Sequence, residues 1–286
     1  MRYKRQSLLR QTLGPAAAKR PSSLKVAICF FGITRNFSRH ANNSLDEMLL
    51  APVAKLDPSH KRYGHFNIVD AVNNTRSRED NVPVDRSEHR SLHCEIIEET
   101  VQEDLDRDPH FQETFAKLKQ YGDSWNNDFG SLRNCLRQLH SLDCVTNVLE
   151  KSRQRFDVVI YTRVDLHFTA RLAIPRIRAG TLYTPWFDKY RGLNDRFAMG
   201  DRSTMLKYGR RNALAVRYCK ETGRPFHAER FLWWCAQQHR LRTVDLTSFE
   251  FCRVRAHGGM VCPATNPGAR LHYRLKKILS PFRNLG

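Results

Sequence analysis

Apolar positions along this 286-residue chain follow two patterns. Short unbroken runs mark buried strands, and stripes recurring every three to four residues mark amphipathic helices. Residues 24–31 (LKVAICFF) form a first run of the buried, parallel-sheet type and end at Gly32-Ile33-Thr34-Arg35. Residues 65–72 predict a second strand. Residues 76–92 are charged, contain Pro83 and read as loop. Residues 94–118 have helical spacing and many acids, and residues 123–130 read as a turn. The clearest helix covers residues 131–153, with Leu132, Leu136, Leu139, Leu142, Val145 and Leu149 on one stripe. It leads directly into a strand over 156–162. Further on, 181–185, 196–199 and 242–246 are short strand candidates, while 202–219 and 227–240 are helical. Helices that deliver buried strands predict an α/β architecture: a mainly parallel central sheet flanked by helices.

Composition supports a packed core, because 41% of residues are apolar and 27% charged. No window of about 18 apolar residues is present, so no membrane-spanning helix is expected. The N-terminus lacks an apolar segment of the secretory type, and a cytoplasmic protein is expected. The net charge of +19 is concentrated at the ends. Arg2, Lys4, Arg5, Arg10, Lys19 and Arg20 precede residue 25 without an acid, and Arg270, Arg274, Lys276, Lys277 and Arg283 close the chain, again without one. The expected organisation is a basic tail over 1–23, one domain over 24–263 and a basic amphipathic tail over 264–286. The second tail suits an anionic membrane surface, which makes a peripheral membrane association possible. Nucleic acid is not an expected partner, since the basic excess belongs mostly to the tails. The eight cysteines contain no C-x-x-C pair and read as reduced core thiols, with a zinc site or disulfides as the other readings.

Candidate chemistry sits at strand ends, where open α/β sheets bind ligands. In Phe156–Phe168, the run Val158-Val159-Ile160-Tyr161 delivers Arg163-Val164-Asp165. Asp165 could hold a divalent cation, and Arg163, two residues earlier and on the same side, could reach a phosphate. The same two residues could equally form a structural ion pair. His167 is in phase with Asp165. Gly32 lets backbone approach a ligand, and Arg35 suits a phosphate. Asn194 and Asp195 precede a short strand that ends at Gly200, and Asp195 could bind sugar hydroxyls. Glu229 lies in the first turn of a helix, where the dipole favours its charge, and could serve as a general base. Of Trp233 and Trp234, only one can face the core. His257, beside Gly258-Gly259, could complete a metal site.

In this order the pieces resemble the GT-A-type nucleotide-sugar glycosyltransferases of chlorovirus-like large DNA viruses and bacterial surface-polysaccharide clusters. The resemblance rests on Phe31-Gly32-x-x-Arg35, the stretch Phe156 to Asp165, Tyr183-Thr184-Pro185, Asn194 to Gly200 and the Glu229 helix. It implies a single GT-A-like, Rossmann-like domain. It also implies transfer of a sugar from a nucleoside-diphosphate donor to a glycan or lipid-linked acceptor, assisted by Mn or Mg. Carried over residue by residue, it makes Glu229 and Asp195 catalytic. Gly32, Arg35, Arg163, Asp165 and Asn194 would bind the nucleotide sugar, and Asp165 and His257 the metal. Arg163 departs from the family's pattern by standing where the first acid of D-x-D belongs.

Two other classes compete. A sulfotransferase would use the basic charge and the early glycine loop without Asp165 or a metal. A non-catalytic protein would bind nucleic acid through its tails, or bind sugar without transferring it.

Overall fold

Seven strands form the central sheet of the computed structural model, which describes residues 24–263. The two predicted tails, with the amphipathic helix expected near residue 270, lie outside the described residues. The strands are β1 (Val26–Gly32), β2 (Lys61–Ile68), β3 (Ala71–Asn74), β4 (Glu79–Pro83), β5 (Ile96–Val101), β6 (Val158–Thr162), β7 (Leu166–Phe168), β8 (Thr181–Pro185), β9 (Phe197–Gly200), β10 (Arg242–Leu246), β11 (Phe251–Val254) and β12 (Met260–Val261). The main sheet runs β10-β8-β9-β6-β1-β2-β5. All its pairings are parallel except those of β9, which is antiparallel to β6 and β8. The mixed α/β architecture with a mainly parallel sheet and flanking helices is therefore present.

β1 shows why the sheet needs a layer on each face. All seven of its residues are buried. Val26, Ile28 and Phe30 pack on one face with Phe37, Leu45, Leu49 and Val53. Ala27, Cys29 and Phe31 pack on the other with Leu142, Val145 and Leu149. That alternation is the two-residue period of a strand. Leu142, Val145 and Leu149 belong to the long helix Gly130–Lys151. The turn before it is held by the Asp123 carboxylate, which accepts from the backbone N–H groups of Trp125, Asn127 and Phe129. A third apolar cluster joins the outer side of this helix, through Leu132, Leu136 and Leu139, to Phe111, Tyr218, Phe231 and Trp234. Trp234 thus faces the core, while Trp233 is exposed.

Several sequence expectations change. The helix predicted over 94–118 begins instead with β5, and only Gln102–Arg107 and Pro109–Lys119 are helical. β5 is an edge strand, exposed or half-exposed at every position, so its acids at 98 and 99 reach solvent while β2 supplies the ladder. The run over 65–72 is split, because β2 ends at Ile68 and Val72 enters the β3–β4 hairpin. The expected loop over 76–92 contains β4 and a short 3-10 turn. The expectation of eight reduced cysteines is overturned for two, since Cys252 and Cys262 are disulfide-bonded. Spacing hid this pair: the two sulfurs meet only because β11 and β12 form an antiparallel turn. The other six cysteines are free.

Candidate functional site: an arginine-lined cleft

The chain leaves β1 towards β2 and β5, then returns to place β6 on the other side of β1. The adjacent carboxyl ends of β1 and β6 form the point where strand order reverses, which is where open α/β sheets open a crevice. A cleft of about 600 Å³ occupies this place. Such a volume suits a cofactor-sized ligand. Gly32 ends β1 with φ near 108°, a conformation that favours glycine, and lines the cleft beside Arg163.

Beyond β6, Arg163 and Asp165 turn to one another. Arg163 Nε donates to Asp165 Oδ1 at 2.7 Å, and Arg163 Nη2 donates to Oδ2. Arg163 Nη1 donates to Gln138 Oε1 at 2.9 Å. Arg35 Nε lies 3.3 Å from the same Oδ2. Asp165 is 1% exposed. Burial alone would raise its carboxyl pKa, but the two guanidiniums, Arg163 foremost, bring it below the ordinary value. Arg35 in turn donates to Glu79, and the backbone N–H of Ala256 donates to Glu79 Oε1.

The opposite wall carries the second pair of candidate acids. Asp195 Oδ2 accepts from Gln138 Nε2 at 3.0 Å, and Glu229 Oε1 accepts from Arg196 Nη2 at 3.2 Å. Arg196 also lies 3.7 Å from Asp195, so one guanidinium spans both acids. Burial opposes ionisation of Asp195, yet Arg196, Arg163 and Arg211 bring its pKa below normal. Glu229 occupies the first turn of the helix Ala228–Gln238, and its backbone carbonyl accepts from Leu193 N–H. The chain approaches so closely there that a Cβ on Gly192 would lie 1.9 Å from that carbonyl oxygen. His227, the residue before the helix, stacks on Trp125 and sits 3.1 Å from Glu229 Oε2. Its Nδ1 makes no hydrogen bond.

β11 supplies the floor of positive charge. Phe251, Cys252 and Val254 of β11 are buried, whereas Arg253 and then Arg255, two residues apart and so on one side of the extended chain, line the cleft wall. Their nearest acids are 4.0 Å away for Arg253 (Asp188) and 3.9 Å for Arg255 (Glu79). The Nε atom of each is buried without a hydrogen-bond partner. Burial first, then neighbouring guanidiniums, lowers both pKa values, that of Arg255 to about 10. A cation so placed is short of counter-charge, and an anion in the cleft would supply it.

The structure thus brings Gly32, Arg35, Arg163, Asp195, Glu229 and His257 to one cleft, and leaves Asp165 and Asn194 behind its wall. Asn194 is fully buried, where Oδ1 accepts from Arg196 N–H and Nδ2 donates to Phe187 O. His257 is exposed, and its Nδ1 accepts from Gly259 N–H. His167 is turned to the carbonyl of His40. The residues expected to hold Mn or Mg do not fit a divalent cation. Both Asp165 oxygens are taken by Arg163, and a hard cation there would have to displace that guanidinium. Among the described residues, one group of three or more His, Cys, Asp and Glu side chains has donor atoms close enough for a metal: His65, His140 and Cys144, away from the cleft. Sequence reasoning misses Arg253 and Arg255. Their signal is the alternation of Phe251 to Ala256, in which apolar residues interleave with arginines.

Among known proteins, a family model described as a domain of unknown function (DUF7796) matches residues 133–257. That span contains every candidate residue except Gly32 and Arg35. No curated protein matches the chain by sequence. In structure, the chain is similar to mouse xyloside xylosyltransferase 1 in its apo form at 11% identity and a TM-score of 0.37, over 78% of this chain and 85% of that one. No described helix is long and apolar enough to cross a membrane.

Proposed function

We propose that the protein is a glycosyltransferase that takes a sugar from a nucleoside-diphosphate donor and passes it to a glycan or lipid-linked hydroxyl. The observation that carries the reading is the pair of cleft guanidiniums, Arg253 and Arg255, buried at Nε without a hydrogen-bond partner. A diphosphate would complete their hydrogen bonds and their charge at once. Arg35 and Arg163 extend the same cationic wall toward Gly32. As the bond from sugar to diphosphate breaks, negative charge grows on the leaving phosphate, and fixed guanidiniums stabilise it without reorganisation. No step runs through a divalent cation.

In this reading Glu229 accepts the proton of the acceptor hydroxyl. Its carboxylate is the acid on the cleft wall facing a histidine, and Arg196 fixes its orientation. Asp195, held by Gln138, is assigned to sugar hydroxyls. The domain is assigned to residues 24–263, with the basic tails outside it and membrane contact as their role. The Cys252–Cys262 bridge favours an oxidising compartment over the cytoplasm.

The test is a thermal-shift panel of uridine, guanosine, adenosine and cytidine diphosphates and their sugar conjugates, each with Mn and with EDTA. The expected result is a rise in Tm for at least one nucleoside diphosphate that persists in EDTA. A rise with a 3′-phosphorylated sulfonate donor alone would replace the reading by a sulfotransferase, and a shift seen only with Mn would sink the metal-free mechanism.

A further inference from the structure

A second cluster lies behind the cleft, between the long helix and the edge of the sheet. His140 and Cys144 are one helical turn apart on Gly130–Lys151 and project from the same face. His65 of β2 and Thr100 of β5 approach them from neighbouring strands. None of these four lines the cleft.

Their polar atoms converge. Thr100 Oγ1 lies 3.0 Å from His65 Nε2 and 3.4 Å from His140 Nε2. Cys144 Sγ lies 3.5 Å from His140 Nε2. One donor atom each of His65, His140 and Cys144 falls within 4.8 Å of the other two. A tetrahedral zinc ion with nitrogen at about 2.0 Å and sulfur at about 2.3 Å sets its donors roughly 3.3–3.6 Å apart. The His140–Cys144 separation already has that length, and small rotations of the side chains close the rest.

The hydrogen bonds also decide which nitrogen of His65 is free. Ser141 Oγ has one proton, which it donates to the carbonyl of His65 at 2.7 Å. The same oxygen accepts from Gly32 N–H at 2.8 Å and lies 3.0 Å from His65 Nδ1. With its proton spent, Ser141 can only accept from Nδ1–H. The lone pair of His65 is therefore on Nε2, the atom that faces Thr100 and His140. A serine that fixes the tautomer and aims the ring is what a metal-bound histidine needs behind it.

We propose that His65, His140 and Cys144 form a Zn²⁺ site, with the Thr100 hydroxyl or a water in the fourth position. Two imidazoles and one thiolate suit zinc in preference to Mg or Mn. On binding, the Cys144 thiol loses its proton to solvent and its sulfur forms the bond to zinc; nothing is oxidised or reduced. Asp143 and Glu98 are the nearby acids that offset the ion's charge. The ion ties the long helix to β2. Through Ser141 it also fixes Gly32, so the site braces the floor of the cleft without entering it.

The full chain, stripped of metal by chelation, is titrated with Co²⁺ as an optical probe and with Zn²⁺ in thermal unfolding. One Co²⁺ per chain with a thiolate charge-transfer absorption is expected, together with a rise in Tm on adding Zn²⁺. Cys144→Ser should abolish the absorption, and His140→Gln should weaken Zn²⁺ by more than about tenfold. Cys94→Ser serves as a control that keeps both signals. Absence of the absorption in the wild-type chain overturns the proposal, as does an unchanged Zn²⁺ response in His140→Gln. The site stands or falls independently of the nucleotide reading, because neither readout involves the cleft.

Discussion

Arg163 and Asp165 neutralise one another inside the protein, Nε to Oδ1 and Nη2 to Oδ2, with Arg35 closing on the same carboxylate. A side-on pair of this kind is stable as a unit and costly to break. Removing one partner of a buried pair leaves an uncompensated charge, at a cost of about 3–5 kcal/mol. Asp165→Asn should therefore lower the urea midpoint by an amount of that order, while Mn added to the chelator-treated wild-type protein leaves its midpoint unmoved. A variant as stable as wild type, or a wild-type protein stabilised by Mn through Asp165, would show that the carboxylate serves a metal instead.

Arg255 has the opposite character. Its guanidinium is crowded by Arg35 and Arg253, and its charge is held at a cost, as its lowered pKa reflects. Arg255→Gln should leave Tm unchanged or slightly raised. Binding of inorganic pyrophosphate in the cleft should weaken by roughly tenfold to a hundredfold, the worth of one charge-assisted hydrogen bond. Calorimetric titration reads both the affinity and its loss; unchanged affinity would remove Arg255 from the anion site.

Glu229→Gln separates binding from transfer. The single amide oxygen of Gln can still accept from Arg196, with its NH2 group turned to His227 Nδ1, so donor binding should persist. Turnover should fall by about 10²–10⁴, the usual contribution of a general base. Equal loss of donor affinity and turnover would instead make Glu229 a binding residue.

His65 gives the fold a signature in acid. Burial, with His140 adding to it, lowers the His65 pKa from 6.5 to about 3. Between those values the unfolded chain takes up a proton that the folded one refuses. This contribution is thus complete above pH 6.5 and declines as pH falls towards 3, by at most about 1.4 kcal/mol per pH unit. His140, also lowered by burial, adds to the slope. Urea unfolding in EDTA from pH 7 to 4 should show the decline, and His65→Asn should flatten it. The same slope in that variant would assign the effect elsewhere.

The disulfide is open to a direct count. Denatured without reductant, the chain should take up six maleimide labels, and after reduction eight. Closing a loop of this size stabilises by up to roughly 3 kcal/mol. Cys252→Ser with Cys262→Ser should accordingly lower Tm by several degrees, with the loss centred on the strand that carries Arg253. Eight labels before reduction would mean that the pair is open.

The sequence by itself determined the sheet's interior and the helix laid across it. β1 and β6 lie where the apolar runs put them, because a strand buried on both faces leaves an unbroken hydrophobic record, and β8 and β10 also fall where short strands are expected. The long helix is equally legible, since a stripe of leucines at helical spacing has one use. β5 was hidden because this edge strand is exposed or half-exposed at every position, so Glu98 and Glu99 are tolerated on opposite faces and the apolar alternation of a strand is lost. Of the candidates the sequence marks, Gly32, Arg35, Arg163, Asp195, Glu229 and His257 line one cleft, while Asn194 and Asp165 lie behind its wall. The sequence leaves open whether Asp165 meets a metal or an arginine. Only the tertiary structure decides that, because ionic partners are chosen by distance and burial, which one-dimensional spacing does not encode. The same holds for Arg253 and Arg255. Their meaning lies in the hydrogen bonds their buried Nε atoms do not make, and that is a property of space, not of sequence.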